Sequence, residues 1–227
     1  MSHALSLEPP LSLTERAVAQ LRADILSTRL APGEVISEAM AAERLELGKA
    51  PIRAALARLG EEGLVTSVPR RGWVVSLVTI RDIHEVFDLR LMLEPEAARR
   101  AAGRVDAEML QRLDGICAAG YDPTDAASAM AFLQANKAFH VAIAELSGNA
   151  RLARQIARLL DESTRMLVLG LSRRDRTGEM AHEHHALVEA LALGRGEEAA
   201  RLMHGQVAES RTMVVAALTA PEAGIAI

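Results

Sequence analysis

The sequence predicts a mainly α-helical protein, with an N-terminal winged helix-turn-helix followed by a C-terminal all-α helical bundle. Residues 36–75 pass from helical spacing to a strand-turn-strand pattern with a basic tip, and from residue 80 the apolar spacing is helical almost throughout. Only 2% of the 227 residues are aromatic, and the apolar content of mainly Ala, Leu, Val, Ile and Met favours helix packing. We expect domains at residues 1–76 and 80–218, a short linker at 77–79, and a frayed tail at 219–227.

The N-terminal domain is expected to begin with three helices. Apolar residues at helical spacing predict the first helix over residues 13–27. Ser37 caps a second, short helix, and residues 46–48 form the turn that follows it. The third helix carries Pro51 in its first turn, where the missing N–H costs nothing, and ends before Gly63.

A two-stranded hairpin and a series of longer helices complete the predicted fold. Residues 64–68 and 73–75 read as the two strands, with residues 69–72 as the loop between them. Helical periodicity and Gly or Pro breaks then predict helices at 80–102, 106–119, 125–147, 150–171, 178–193 and 196–218.

The composition limits the classes of protein to which the chain can belong. No apolar run approaches the ~18 residues of a membrane span, and the N-terminus lacks the basic and apolar regions of a secretory signal. Cys117 is the only cysteine, so an intramolecular disulfide is impossible, which fits a reducing cytoplasm. The net charge of −4 gives no overall sign of nucleic-acid binding, but basic residues cluster within residues 44–71. Such binding needs a basic face and not a basic protein.

The second and third helices carry side chains suited to reading DNA. In a helix-turn-helix, the N-terminal end of the second helix of the motif reaches base edges, and flanking residues bind phosphate. Lys49, Ala50 and Arg53 occupy that end, and Lys49 and Arg53 share one face. An Arg fork can contact O6 and N7 of guanine together, for ~1–3 kcal/mol of discrimination. Arg44 can reach phosphate from the preceding helix.

The hairpin loop supplies a second basic site. Arg70 and Arg71 lie at its tip, where they suit the minor groove or its phosphates, and Gly72 allows a sharp turn and a close approach. The alternative for Arg44 and Arg53 is an ordinary solvated face, paired with nearby glutamates. The adjoining basic wing favours DNA binding over that alternative.

Residues 12–76 contain a specific pattern of motif residues. They are Ser37-Glu38, Leu45, Pro51, Ile52-Arg53, Ala55-Leu56, Leu59, Glu62-Gly63-Leu64-Val65 and Gly72. The pattern resembles the winged helix of GntR-type bacterial transcription regulators, and the resemblance implies binding to double-stranded operator DNA. Residues 46–48 read Glu-Leu-Gly where Gly-Val-Ser is usual, Lys49 replaces Arg, and Ala54 replaces Glu. These changes remove directional donors, so we expect a different operator preference from that of close-to-consensus members.

The helical part contains three further motifs. They are Phe87-Asp88-Leu89-Arg90-Leu91-Met92-Leu93-Glu94, Asn136-Lys137-Ala138-Phe139-His140, and Glu183-His184 followed by residues 186–191. They resemble the FCD effector domain of the FadR-like GntR subfamily, an all-helical bundle, over about residues 80–218. The resemblance implies a homodimer that binds a small-molecule effector.

The same motifs raise the question of a bound metal. Asn136 and His140 are four residues apart, so an oxygen and an imidazole on one helix face can hold a divalent ion with His from neighbouring helices. The resemblance implies Zn, Ni or Mn in many members, with the ion receiving the carboxylate of an organic-acid effector, and direct ligand binding in others. The candidate metal ligands here are Asn136, His140 and His184.

Two departures from the family pattern weaken a metal site. Gln206, 22 positions after His184, stands where the last His of the family is usual, and Asn136 offers a neutral amide in place of a carboxylate. In the metal-free alternative these polar side chains bind the effector directly, and Arg90 grips its carboxylate with a bidentate fork. The competing interpretation of Arg90 is an ion pair with Glu94, four residues on.

We therefore expect a cytoplasmic, homodimeric transcription regulator and not an enzyme. It should read a pseudo-palindromic operator and sense a small organic acid or related metabolite, and the resemblance implies repression by default. One alternative is a constitutive dimeric DNA binder whose helical domain is purely structural. Another is a metal-dependent hydrolase built on His140 and His184, although no Glu is clearly placed as its general base.

Overall fold

The computed structural model describes residues 11–105, 108, 115, 120–121, 126–171 and 177–219. Two compact units divide between Leu77 and Val78. Val78 is buried in the core of the second unit, and Thr79 caps the first helix of that unit. Of the predicted linker at 77–79, only Leu77 therefore belongs to the first unit.

Over residues 11–77, the first unit contains three helices and three short strands. The elements are α1 (Leu13–Leu26), β1 (Val35–Ile36), α2 (Glu38–Leu45), α3 (Lys49–Glu61), β2 (Val65–Val68) and β3 (Gly72–Val75). The Ser12 hydroxyl accepts a hydrogen bond from the Glu15 N–H, and the Glu15 carboxylate accepts one from the Ser12 N–H, so a capping box begins α1. Ser37 caps α2 as predicted, and Glu46 ends α2 in the left-handed conformation.

The sheet has one more strand than the sequence predicts. Its order is β1-β3-β2 and both pairings are antiparallel, with Val35 opposite Val74 and Val68 opposite Gly72. The expected two-stranded ribbon is thus a three-stranded sheet. A strand of two residues is too short to show an alternating pattern, and its partner lies far along the chain.

The apolar faces of α1 and α3 form the core of the first unit. The fully buried residues on these two helices include Leu21, Ile25, Ile52, Leu56 and Leu59. Burying side chains of this size stabilises the fold by about 1.5–3 kcal/mol each. Because this face of α3 is packed inward, the basic residues at its N-terminal end face solvent.

All secondary-structure elements described in the second unit are helices. Its helices are α4 (Ile80–Ala101), α5 (Ala126–Leu146), α6 (Ala150–Leu171), α7 (Thr177–Ala192) and α8 (Gly196–Thr219). These bounds agree with the predicted helices to within one or two residues. The predicted helix at 106–119 lies outside the described residues except for Glu108 and Gly115, and so do Cys117 and most of the predicted tail.

The helix α4 occupies the centre of this unit. It contacts α5, α6, α7 and α8, and it continues through Pro95. The core around it is apolar and includes Ile83, Phe87, Phe139, Ile143, Leu187, Met203 and Val207. Several buried polar side chains interrupt this core, and they form the second candidate site below. No helix within the described ranges is long and apolar enough to cross a membrane.

Candidate functional site

The first candidate site is the N-terminal end of α3. Lys49 is the first residue of the helix, and Lys49, Ala50 and Arg53 are all exposed. The residue at the N-cap position is Gly48, which has no side chain to bind the first N–H groups, and the first turn carries no acidic residue. Free N–H groups, the helix dipole and a Lys together favour a negatively charged partner at this end.

Arg53 is held in a bidentate ion pair. Its Nε lies 2.9 Å from Glu38 Oε1 and its Nη2 lies 2.8 Å from Glu38 Oε2, which joins α3 to the first turn of α2. The hydrogen bond from Arg53 keeps the pKa of Glu38 below its ordinary value. The Arg53 side chain is 69% exposed, so the pair is accessible and weak enough for a DNA base or phosphate to replace Glu38 or share the fork.

Arg44 forms an ion pair with a buried carboxylate. Its Nη2 lies 3.2 Å from Oδ2 of Asp24, which is 1% exposed, and Asp24 also pairs with Arg29 at 3.4 Å and accepts a hydrogen bond from Gln20. The Arg44 side chain itself remains 42% exposed. Asp24 had no sequence signal for this role, because it lies on α1, away from the helix-turn-helix motif.

The wing tip depends on glycine. Arg70 and Arg71 are exposed in the turn between β2 and β3, and Arg70 has a φ of 65°. Gly72 has a φ of 95°, and a Cβ at this position would lie 2.9 Å from the carbonyl oxygen of Ile36. Only glycine fits this backbone without strain. The sequence-predicted DNA-binding residues therefore fall on two exposed basic segments of the same compact unit.

The second candidate site is a group of polar side chains buried inside the helical unit, here called the polar cluster. Its members come from five helices, and each is at most 6% exposed. They are Arg90 and Glu94 on α4, Asn136 and His140 on α5, Ser163 on α6, His184 on α7 and Gln206 on α8. All five residues predicted for effector binding are in this set.

Glu94 links Arg90 to His140. Arg90 Nε donates to Glu94 Oε1 at 2.6 Å, and His140 Nδ1 lies 2.7 Å from Glu94 Oε2. Burial raises the pKa of Glu94, but the neighbouring Arg90 and His140 outweigh burial and lower this pKa to about 2. The carboxylate is therefore ionised at neutral pH and can only accept, so His140 Nδ1 carries the proton and donates it.

The structure realises the ion-pair interpretation of Arg90. Its Nη1 also donates to the Ser163 hydroxyl at 3.2 Å, and its guanidinium carbon lies 4.9 Å from the centre of the Phe87 ring. An effector carboxylate could use Arg90 only by sharing this guanidinium with Glu94. Arg90 thus forms the ion pair with Glu94 that its four-residue spacing allows, and its contact with an effector stays a prediction.

His184 is a neutral imidazole beside His140. Its ring stacks on Phe139 at 4.2 Å between centroids and lies 5.8 Å from the centroid of His140. Burial, followed by the proximity of His140, lowers the pKa of His184 to about 3. His182 and His185, its neighbours on α7, are exposed and do not join the cluster.

Two amide oxygens in the cluster accept no hydrogen bond within the described part of the chain. Gln206 Nε2 donates to the Glu183 carbonyl at 2.8 Å, which fixes the amide orientation because a flip would set oxygen against oxygen. Gln206 Oε1 and Asn136 Oδ1 are buried and accept no hydrogen bond from any residue that the structure describes. A buried acceptor left unsatisfied costs about 1–3 kcal/mol, so each is a place where a ligand gains by binding.

The donor set of the polar cluster does not fit a tight Zn, Ni or Mn site. Within the described segments, no group of three or more His, Cys, Asp or Glu side chains is arranged to hold a metal ion. The cluster offers two imidazoles and two neutral amide oxygens, and its one carboxylate, Glu94, already binds Arg90 and His140. An ion here would therefore lack an anionic ligand and would sit near the Arg90 charge.

The contacts that the sequence did not predict are long-range. The sequence indicated Glu94 as the last residue of the first FCD-like motif and as a partner of Arg90, through the four-residue spacing. Its contact with His140 spans 46 positions, and the contact of Arg90 with Ser163 spans 73. No local pattern signals either of them.

Comparisons with known proteins assign both units. Residues 13–75 match the gntR family of bacterial regulatory proteins, and residues 85–208 match the FCD domain. The Nta operon transcriptional regulator of Aminobacter aminovorans is 29% identical over 176 residues, covering 76% of this chain and 80% of that protein. The HTH-type transcriptional repressor GlaR of Escherichia coli K12 is 28% identical over 184 residues, covering 77% and 83%.

Solved structures share the fold. Escherichia coli McbR/YncC aligns with a TM-score of 0.76 at 22% identity, covering 91% of this chain and 98% of that one. A putative GntR transcriptional regulator from Rhodococcus sp. RHA1 aligns with a TM-score of 0.73 at 22% identity, covering 90% and 98%. The chain belongs to the gntR family of bacterial regulatory proteins and carries an FCD domain, and it is a ligand-responsive, DNA-binding transcription regulator and not an enzyme.

Proposed function

We propose that the protein acts as a homodimeric repressor in the cytoplasm and that each protomer reads one half-site of a pseudo-palindromic operator. The observation that carries this proposal is the exposed, uncapped N-terminal end of α3 with Lys49 and Arg53. Symmetric dimers present two such ends, so they favour operators with matching two-fold symmetry. Repression is supported by the similarity to GlaR, which is named as a repressor.

In this proposal each basic residue makes a different contact with DNA. Arg53 reads a guanine through its fork while Glu38 holds the guanidinium at the surface, and Lys49 binds a phosphate or base edge at the start of α3. Ala50 lies between them and allows the helix backbone to come close. Arg44 contacts phosphate and keeps its anchor on Asp24.

The wing makes a second contact in the proposal. Arg70 and Arg71 reach the minor groove or its phosphates, and the backbone at Gly72 gives the turn its shape. Phosphate contacts of this kind position the protein and make binding depend on salt. They add little base preference, so an experiment can distinguish the contribution of the wing to DNA binding from that of α3.

The effector site in this proposal is the polar cluster. Side chains from five helices meet there, so a ligand bound among them changes how those helices pack. A ligand shifts the DNA-binding arrangement only when it binds the two arrangements with different affinity, and the resulting coupling is typically about 1–3 kcal/mol. A small organic acid or related metabolite remains the proposed effector, although its carboxylate would have to share Arg90 with Glu94.

The DNA-reading role is tested with three single variants. Operators are first selected from a genomic fragment library with the full-length protein, and binding is measured by fluorescence anisotropy. Arg53→Ala should weaken operator binding by about 1–3 kcal/mol and relax base preference, whereas Arg70→Ala should mainly reduce the salt dependence, by about one in slope. Arg58→Ala removes the same charge from the other end of α3 and serves as the control.

Two results would contradict the proposed recognition. Arg53→Ala binding the operator as tightly as Arg58→Ala would show that α3 does not read bases through this residue. A footprint with one protected half-site, or a native mass of one chain at the operator-binding concentration, would contradict the dimer.

A further inference from the structure

The two unsatisfied amide oxygens indicate what kind of ligand the polar cluster accepts. We infer that the effector binds without a metal and presents N–H or O–H groups to Asn136 Oδ1 and Gln206 Oε1. Its contacting face would then be that of a polyol, amide or amine, and not that of a carboxylate. This inference rests on the proposed role of the polar cluster as the effector site.

The positions of the two oxygens support a shared ligand. Asn136 lies one helical turn before His140 on α5, and the Gln206 amide is fixed to the carbonyl of Glu183, the residue before His184. The rings of His140 and His184 lie 5.8 Å apart. Each acceptor therefore belongs to a side chain next to one of the two imidazoles, along α5 for Asn136 and through the Glu183 carbonyl for Gln206.

The chemistry of the two atoms selects the ligand. An amide oxygen has two lone pairs and no proton, so its complement is a donor. At Gln206, whose amide orientation the Glu183 carbonyl fixes, a carboxylate oxygen in the same place would set acceptor against acceptor. The cation of the cluster, Arg90, donates to Glu94 through Nε and to Ser163 through Nη1. An acidic effector would thus keep its carboxylate away from Gln206 Oε1.

The first experiment tests whether a metal binds. The full-length protein and the variant Asn136→Asp/Gln206→His, which restores an anionic ligand and an imidazole, are dialysed separately against Zn²⁺, Ni²⁺ and Mn²⁺. Both carry His182→Gln and His185→Gln to remove exposed imidazoles. We expect well under one ion per chain without the two restoring substitutions, and about one ion per chain with them.

Either of two results would count against the metal-free site. Retention of one ion per chain by the protein with Asn136 and Gln206 intact would overturn the inference. Failure of the restored variant to bind would overturn the claim that these two amides decide against metal.

The second experiment tests the donor chemistry with probes that share one carbon skeleton. Succinamide presents N–H donors where succinate presents carboxylate acceptors. At saturating concentration we expect succinamide to raise the Tm by about 2–4 °C and succinate to leave it unchanged. Asn136→Leu/Gln206→Leu should lose the succinamide effect, while Gln134→Leu, an exposed control on α5, should keep it.

The controls separate this inference from the proposed function. The Asn136→Leu/Gln206→Leu variant must give the same far-UV circular dichroism spectrum as the unmodified protein. A larger shift with succinate, a succinamide shift that survives in that variant, or no shift with either probe would refute the donor assignment. Operator binding by the unmodified protein would still stand in each case, whereas loss of the proposed function would appear as no specific DNA binding at all.

Discussion

Glu94 is the residue on which the stability of the polar cluster should depend most directly. Its carboxylate is 1% exposed and accepts hydrogen bonds from Arg90 and His140. The net effect of burial and of these two partners lowers its pKa from the ordinary 4.5 to about 2. At ~1.4 kcal/mol for each unit of pKa, this difference corresponds to about 3–4 kcal/mol of folding free energy. We expect Glu94→Gln to lose about that amount at pH 7, because it leaves Arg90 buried without its counter-ion.

The effect should depend on pH in a defined direction. A carboxyl group whose pKa is lowered on folding stabilises the protein fully above its unfolded value of about 4.5. That contribution disappears as pH falls through the folded value of about 2. The difference in free energy of unfolding between wild type and Glu94→Gln should therefore be constant from pH 7 to about pH 5 and shrink below that.

Urea unfolding followed by far-UV circular dichroism measures this difference. Trp73 is the only tryptophan and lies in the first unit, so its fluorescence follows the unfolding of that unit. The unfolding transition measured by this fluorescence should be the same in Glu94→Gln as in wild type. Glu85→Gln is the control, because Glu85 also pairs with an Arg on α4 but its side chain is 62% exposed. Exposed pairs contribute little, so this variant should unfold like wild type.

Two outcomes would refute the reasoning on Glu94. One is a loss below about 1 kcal/mol at pH 7, within the range of an exposed pair. The other is a loss of the same size at pH 7 and pH 3. The double variant Arg90→Met/Glu94→Gln should recover stability relative to Glu94→Gln, because it removes the stranded charge.

Two further predictions concern the wing and the second imidazole. Gly72→Ala should destabilise the first unit by about 1–3 kcal/mol, measured by tryptophan fluorescence, because φ is 95° and the new Cβ would meet the Ile36 carbonyl. Gly63→Ala has a positive φ but open space, so it should cost less, and equal losses would contradict the steric argument. His184→Phe should flatten the decline in stability between pH 6.5 and pH 3. Burial lowers the pKa of His184 to about 3, so the unfolded chain takes up the proton first as pH falls. If the free energy of unfolding in urea changed with pH in His184→Phe as it does in wild type, this prediction would be wrong.

Elements with local signals were predicted to within a residue or two. The helix α3 is defined by the turn before it, by Pro51 in its first turn and by its own apolar spacing, and all three signals lie within residues 46–63. The helix α6 follows its predicted bounds at 150–171 because its periodicity is strong over its full length. The strand β1 was missed because only its pairing with β3 makes it a strand.

The candidate sites show the same difference between local signals and long-range contacts. The sequence alone determined which residues form the basic N-terminal end of α3 and the basic wing, because a helix start and a hairpin tip are local features that leave their side chains exposed. It also placed His140 and His184 among the candidate effector residues by family resemblance. The chemistry of Arg90 stayed open, since four-residue spacing permits an ion pair without requiring one.

The tertiary structure determined that this four-residue spacing gives a buried ion pair. Packing of α4 against α5 and α6 sets Glu94 beside His140 and Arg90 beside Ser163, and it removes all four side chains from water. Burial strengthens these charge interactions and makes any unmatched polar atom costly. Packing of α8 against α7 turns the Gln206 Nε2 towards the Glu183 carbonyl and leaves the Gln206 oxygen without a donor in the described part of the chain. Burial and dielectric environment belong to the assembled core, so no stretch of sequence contains them.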